Sequence, residues 1–214
     1  MEQSQAESIA RVGYDEMAEV YANHVAAEMT VPSVVRSGLD AFAHKAKQLD
    51  PGLVADVGCG PGHVTAYLAG LGLDIFGIDG SSALLDIARS NHPELRFETG
   101  HLASLPVETG SLRAVVSKHS IIHTPAHLVA STLEEYARVL APGGLLYLSF
   151  FGAAEPAAHG ESFDHAVTTA YQLDVDTMAE LLSAAGFTEE VRVVQQPEPG
   201  ERQLPHGTFF ARLR

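Results

Sequence analysis

The sequence predicts an α/β fold, a doubly wound and mostly parallel seven-stranded sheet with helices on both faces and a C-terminal antiparallel hairpin. Three observations carry this. Between Leu53 and Phe151, short apolar and β-branched runs alternate with segments of helical period. Two neighbouring runs break at VADVGCGPGHV (Val54–Val64) and FGIDGS (Phe76–Ser81), the kind of strand end where such sheets bind ligands. Two last runs flank the Pro/Gly-rich loop QPEPGERQLPH and read as a hairpin.

The elements follow in order. Gln5–Met29 has helical periodicity, with Ile9, Val12, Met17, Val20, Tyr21 and Val25 on one face and a break expected at Gly13. Pro32 and Ser33 open a second helix, whose stripe is Val34, Val35, Leu39, Phe42, Ala46 and Leu49. Leu53–Val57 is a strand, Pro61–Leu71 a helix, Asp74–Ile78 a strand, and Ser81–Asn91 a helix capped by Ser81 or Ser82. Leu95–Glu98 and Leu112–Lys118 are further strands. Thr124 caps a helix that runs from Pro125 to about Leu140, and Pro142-Gly143-Gly144 stops it. Gly144–Phe151, apolar throughout, belongs at the sheet centre. Gly152–Asp174 has no clean period. Val175–Ala185 is a helix closed by Gly186, and Glu190–Gln195 and Gly207–Leu213 form the hairpin. The chain therefore reads as one domain over 1–214. Residues 1–50 are lid-forming helices, 53–151 a binding core, 152–174 a candidate substrate cap, and 175–214 a closing helix and hairpin.

Composition excludes several functions. Apolar residues make up 46% of the chain, enough for a full core. Acids outnumber bases 27 to 13, a formal net charge of −14 that repels nucleic acid, and no basic patch offsets it. The lone Cys59 forms no internal disulfide and suits a reducing compartment. MEQSQAES is polar and acidic, and no 18-residue apolar run exists, so the expectation is a cytoplasmic protein with no membrane partner.

The two strand-end motifs read as a nucleoside site. Gly58, Gly60 and Gly62 permit positive φ and close approach of a ligand to the backbone. Asp79 offers two acceptor oxygens, suited to the two hydroxyls of a ribose, and competes with a plain helix-capping role that Ser81 can take instead. A nicotinamide fingerprint would need G-x-G-x-x-G. Here the spacing is G-x-G-x-G, and His63 follows the last glycine.

With these residues in place the chain resembles the class I S-adenosylmethionine-dependent methyltransferases, which share a Rossmann-like fold. The resemblance runs over five motifs in order: Y-D-x-x-A-x-x-Y at Tyr14–Tyr21, D-V-G-C-G-P-G at Asp56–Gly62, G-I-D-G-S at Gly77–Ser81, L-A-P-G-G at Leu140–Gly144, and L-L-x-x-A-G-F at Leu181–Phe187. The S-x-H-S-I-I-H-T-P run at Ser117–Pro125 makes it similar to small bacterial members that methylate small molecules. The resemblance implies S-adenosylmethionine as cofactor and S-adenosylhomocysteine as product. It implies that Asp56 and the loop of Gly58, Cys59, Gly60 and Gly62 hold the amino-acid end, and that Asp79 holds the ribose. Gly80, Ser81, Leu84, Gly100, His101 and Leu102 would surround the adenine. Tyr14 and Tyr21 would close over the methionine end, with Ser117, Lys118 and His119 beneath the sulfonium. The sequence departs from the pattern at His101, where most relatives have Asp, at Leu84, where methionine is commoner, and at Lys118, where many have an aromatic.

Histidine is abundant, 11 in all. His119, His123 and His127 are spaced by four, but the strand ending at Lys118 and Pro125 keep them off a shared helical face, so no metal is expected. His123 and His119 are candidate general bases, with pocket lining as the competing role. His159 and His165 are assigned no catalytic role, and Cys59 is expected half-buried in its turn. The function implied is transfer of the sulfonium methyl to an O, N or C nucleophile of a small molecule by in-line displacement. A nicotinamide-dependent oxidoreductase, a non-catalytic S-adenosylmethionine-binding regulator, and a methyltransferase acting on a protein or carrier-bound substrate are the alternatives. Oligomeric state and the identity of the acceptor are left open.

Overall fold

Parallel strands buried on both faces build the frame. The computed structural model describes residues 3–26, 33–197 and 202–214. Its main sheet contains β1 (Leu53–Val57), β2 (Ile75–Asp79), β3 (Phe97–Thr99), β4 (Leu112–Lys118), β5 (Leu140–Phe151), β8 (Phe187–Gln195) and β9 (His206–Leu213). Their order is β3-β2-β1-β4-β5-β9-β8, parallel through β5 and antiparallel at β9 and β8. The core fills both faces: Leu133, Tyr136, Leu146 and Phe209 belong to one cluster, Leu39, Phe42, Tyr147 and Phe210 to the other. Sequence direction reverses between β1 and β4, so a crevice opens beyond the carboxyl ends of those strands.

The helices are α1 (Gln3–Ala26), α2 (Val34–Ala46), α3 (His63–Gly70), α4 (Ser82–Asn91), α5 (Val129–Val139) and α6 (Val175–Ala184). Ser33, Ser81 and Asp174 cap α2, α4 and α6 by accepting from the backbone N–H three residues on. Residues 27–29 of the expected first helix, and Pro32, lie outside the described residues, as do 198–201 of the hairpin loop.

Several expectations need correction. The helix α1 does not break at Gly13. A Cβ there would lie 2.9 Å from the Val167 carbonyl oxygen, so the glycine lets α1 press against the segment after β5. The expected face of α1 is only partly turned inward. Val25 is buried and Met17 and Tyr21 are half-buried, but Ile9, Val12 and Val20 are exposed, and Ala6 and Ala18 are buried instead. The helix turns polar residues toward the crevice, so apolar periodicity only partly marked its inward side.

Thr124 does not cap α5. It adopts an extended conformation before Pro125, as pre-proline sterics favour. Two 3₁₀ turns, Ile121–His123 and Ala126–Leu128, precede α5 instead. Strand β5 begins at Leu140 rather than Gly144: Leu112 pairs with Leu140, Ala114 pairs with Leu145, and Pro142-Gly143-Gly144 lies in the bulge between them. Strand β8 starts earlier than expected, at Phe187, which is buried. Its charged residues Glu189, Glu190 and Arg192 suit a sheet edge. The unpatterned stretch 152–174 holds a 3₁₀ turn at Pro156–Ala158 and a small antiparallel pair, β6 (Ser162–Phe163) with β7 (Ala170–Tyr171).

Candidate active site

The glycine loop lies at the crevice. Gly58, Gly60 and Gly62 all have positive φ, at 75°, 54° and 83°. A Cβ at Gly58 would meet the Ser120 hydroxyl at 2.4 Å, and one at Gly62 would meet the Phe97 ring at 2.8 Å. Glycine is thus required twice over, for conformation and for space. The Gly58 and Cys59 N–H groups both donate to the Ile78 carbonyl, at 2.7 and 3.1 Å, binding the loop to the end of β2. Cys59 is fully buried, not half-buried.

Asp79 joins the two motifs. One carboxylate oxygen accepts the Gly60 N–H and the other the Ser81 N–H, each at 2.8 Å. Burial raises its pKa, and these N–H bonds oppose the rise. Each oxygen retains acceptor capacity. Helix capping falls instead to Ser81, whose Oγ accepts the Leu84 N–H at 3.1 Å. Asp56, one strand over, is buried and accepts the Thr65 hydroxyl at 2.6 Å. Burial pushes its pKa up to about 7, against the Thr65 bond.

Helix α1 lies across this site and is held by carboxylates that the motifs did not reveal. Asp15 accepts the Ser81 hydroxyl at 2.7 Å and the Ala83 N–H at 3.1 Å, adding a second acceptor to the α4 cap. Glu7 accepts the Ala103 N–H at 3.1 Å and lies 3.7 Å from the His101 ring. Tyr14 and Tyr21 stack edge to face, 5.0 Å between centroids.

Two adjoining cavities open under α1. The first encloses about 850 Å³, and Asp79, Gly80, Ser81, Leu84, Gly100, His101 and Leu102 lie along it. The second, about 810 Å³, has Asp56 and Cys59 on one side and His165, His206 and Phe151 on the other. Tyr14, Tyr21, Gly58, Gly60, Lys118 and His119 line both. Gly62 and Ser117 line neither: Gly62 precedes α3 against Phe97, and the buried Ser117 hydroxyl bonds the Tyr136 hydroxyl at 3.0 Å.

The candidate bases have distinct settings. His123 Nδ1 lies 2.8 Å from the Thr169 carbonyl oxygen, which can only accept, so Nδ1 carries the proton. Nε2 is then the acceptor, and the Tyr14 hydroxyl donates to it at 3.1 Å. Burial lowers the His123 pKa and raises that of Tyr14. His119 has φ of 52°, unusual for a residue with a side chain. Its ring stacks on Phe151 at 5.1 Å and lies 3.2 Å from the His206 ring nitrogen. Burial first, then the Lys118 charge, holds its pKa well below the usual value.

His159 takes a structural role, accepting the Asp174 N–H at 3.0 Å. His165 belongs to the second cavity, its ring 5.2 Å from that of His123. Among the described residues no group of three or more His, Cys, Asp or Glu is arranged to hold a metal ion. No described helix is long and apolar enough to cross a membrane.

Residues 54–144 match a family model described as a methyltransferase domain. Over those residues the chain is a class I S-adenosylmethionine-dependent methyltransferase domain. Its cofactor is S-adenosylmethionine, which sets aside the nicotinamide alternative. An uncharacterised methyltransferase of Synechocystis is 33% identical over 145 residues, 63% of this chain and 66% of that protein. A trans-aconitate 2-methyltransferase of Delftia acidovorans is 34% identical over 113 residues, 50% of this chain and 40% of that one. The chain spans less than two thirds of the length of these curated relatives. The Burkholderia thailandensis 1,6-didemethyltoxoflavin-N1-methyltransferase, solved with 1,6-didemethyltoxoflavin and S-adenosylhomocysteine, shares the fold. Its TM-score is 0.75 at 20% identity, over all of this chain and 91% of that one.

The site fits the cofactor. Asp79 has acceptor capacity suited to a ribose diol, and Leu84, His101 and Leu102 line the same cavity. Of its residues, Glu7, Asp15, Ser120, Phe151, His165 and His206 were not singled out in the sequence as site residues. Asp15, inside Y-D-x-x-A-x-x-Y, and Ser120, inside S-x-H-S-I-I-H-T-P, had a nearby signal.

Proposed function

We propose that this chain transfers the methyl group of S-adenosylmethionine to an O, N or C nucleophile of a small molecule. The observation carrying this reading is the continuity of the two cavities. The first has the chemistry for an adenosyl group, and the second begins at Lys118 and His119 and ends among aromatic rings. When bound, the cofactor supplies a methyl already activated by the positive sulfur. The protein's task is alignment and exclusion of water.

In this reading Asp79 holds the ribose, and Asp56 with the Gly58–Gly62 loop meets the amino-acid end. Tyr14 and Tyr21 close the site from α1, and residues 152–174 shape the acceptor's side. His123 is placed to receive a proton through Tyr14. The tyrosine hydroxyl gives its proton to Nε2 and takes one from the acceptor in its place. The net charge of −14 and the depth of the second cavity both favour a small acceptor over nucleic acid or protein. The free, buried Cys59 agrees with work in a reducing, cytoplasmic compartment. Relatives whose names specify trans-aconitate or 1,6-didemethyltoxoflavin support the small-molecule class.

The test divides a bacterial lysate by size, adds S-adenosylmethionine and the purified protein, and measures S-adenosylhomocysteine. Product formation driven by the low-molecular-mass fraction is expected. Turnover supported only by the macromolecular fraction would overturn the small-molecule assignment.

A further inference from the structure

The second cavity combines flat walls with an uneven distribution of charge. The His119 ring is near parallel to Phe151, at 14° and 5.1 Å, and His206 and His165 approach the same phenyl ring at 4.9 and 6.0 Å. Behind this wall Phe163 packs edge-on against Phe151 at 5.4 Å. Such walls favour a planar guest with a π face over a bulky aliphatic one.

Among the described lining residues the only carboxylate is Asp56, which accepts the Thr65 hydroxyl. The other polar groups include imidazoles, tyrosine hydroxyls and the Lys118 ammonium, whose charge also acts on Asp56. A cationic acceptor would face this ammonium and the cofactor's sulfonium together, whereas both attract an anion. Burial also holds His119 and His165 below their usual pKa, His165 at about 4, so these rings are neutral near pH 7. The positive charge comes from Lys118 and from Arg202, whose guanidinium lies 4.7 Å over the Phe163 ring.

Resting on the methyltransferase reading above, we propose that the acceptor is a planar aromatic molecule bearing an anionic oxygen, its ring against Phe151 and His119 and its charge toward Lys118. Lys118 and Phe151 are then the specificity residues of the acceptor site.

The experiment first titrates the full chain with S-adenosylhomocysteine. It then measures the affinity of the loaded protein for benzoate, benzamide, benzylamine and cyclohexanecarboxylate by ligand-observed NMR. Benzoate is expected to bind about tenfold or more tightly than each of the others. Lys118→Met should bring benzoate within about twofold of benzamide, and Phe151→Leu should erase its advantage over cyclohexanecarboxylate. Equal binding of benzylamine, benzamide or cyclohexanecarboxylate, or no binding by any probe, overturns the proposal while the cofactor reading stands. Failure of S-adenosylhomocysteine itself to bind overturns both. Should either variant fail to fold, the four-probe ranking on the unmodified chain decides alone.

Discussion

Asp79 and Asp56 lie at the ends of neighbouring strands, Asp56 buried and Asp79 half-buried, and each has a different consequence. Asp79 holds the Gly60 and Ser81 N–H groups, so its carboxylate organises the loop as well as facing the cavity. Asp56 accepts the Thr65 hydroxyl, and its pKa of about 7 lies above the ordinary 3.8. Between those values the native state keeps a proton that the unfolded chain has released. The resulting stabilisation is complete below the unfolded pKa and is lost as pH rises through about 7. Asp56→Asn removes this ionisation, so its stability relative to the unmodified chain should improve from pH 5 to pH 8 in urea melts. An unchanged difference would contradict the burial argument. His123 provides a second test at this scale. With Nδ1–H fixed by the Thr169 carbonyl, His123→Ala should lower kcat by about tenfold or more while cofactor affinity stays within about twofold. Full turnover would leave His123 as pocket lining. The glycines and Asp79 were legible because each acts within a few residues of its own strand end. His165 was not legible, since its place depends on chain returning from beyond β5 to meet His123 and Phe151.

Among the elements, α1 was the least readable. Its apolar residues Ile9, Val12 and Val20 face outward, and its grip on the domain is polar. Asp15 reaches Ser81, 66 residues on, and Glu7 reaches Ala103, 96 residues on. No periodicity in a single segment encodes such partners. By contrast β4 fell within its expected limits, because its interior residues are buried on both faces and need no partner to be recognised. The α1 contacts lead to two predictions. Asp15→Ala removes an acceptor from the α4 N-terminus and should cost about 1 kcal/mol, read by chemical denaturation. Wild-type stability would show that α1 is held by other contacts. Gly13→Ala improves intrinsic helix propensity by up to about 1 kcal/mol, yet its Cβ would sit 2.9 Å from the Val167 carbonyl oxygen. The melting temperature should therefore fall. A rise would mean that α1 does not press on the segment after β5.

At the scale of the molecule, a sheet ordered β3-β2-β1-β4-β5-β9-β8 creates a crevice at the β1/β4 reversal, and α1 roofs it. The sheet was readable from alternation and the terminal hairpin. The small β6/β7 pair was not, since two residues per strand leave no period to detect. The central claim is that the Gly58–Gly62 bend and Asp79 together bind S-adenosylmethionine. Ligand at one hundred times its Kd stabilises the folded state by about 2.7 kcal/mol, or roughly 5–11 °C for a chain of this size. Calorimetric titration with S-adenosylmethionine, on the unmodified chain and on Asp79→Ala, tests the claim most directly. The account predicts saturable heat for the former and at least about tenfold weaker binding for the latter, about 1.4 kcal/mol. Absence of heat and of thermal shift at millimolar ligand, or equal affinity in the two proteins, would contradict it.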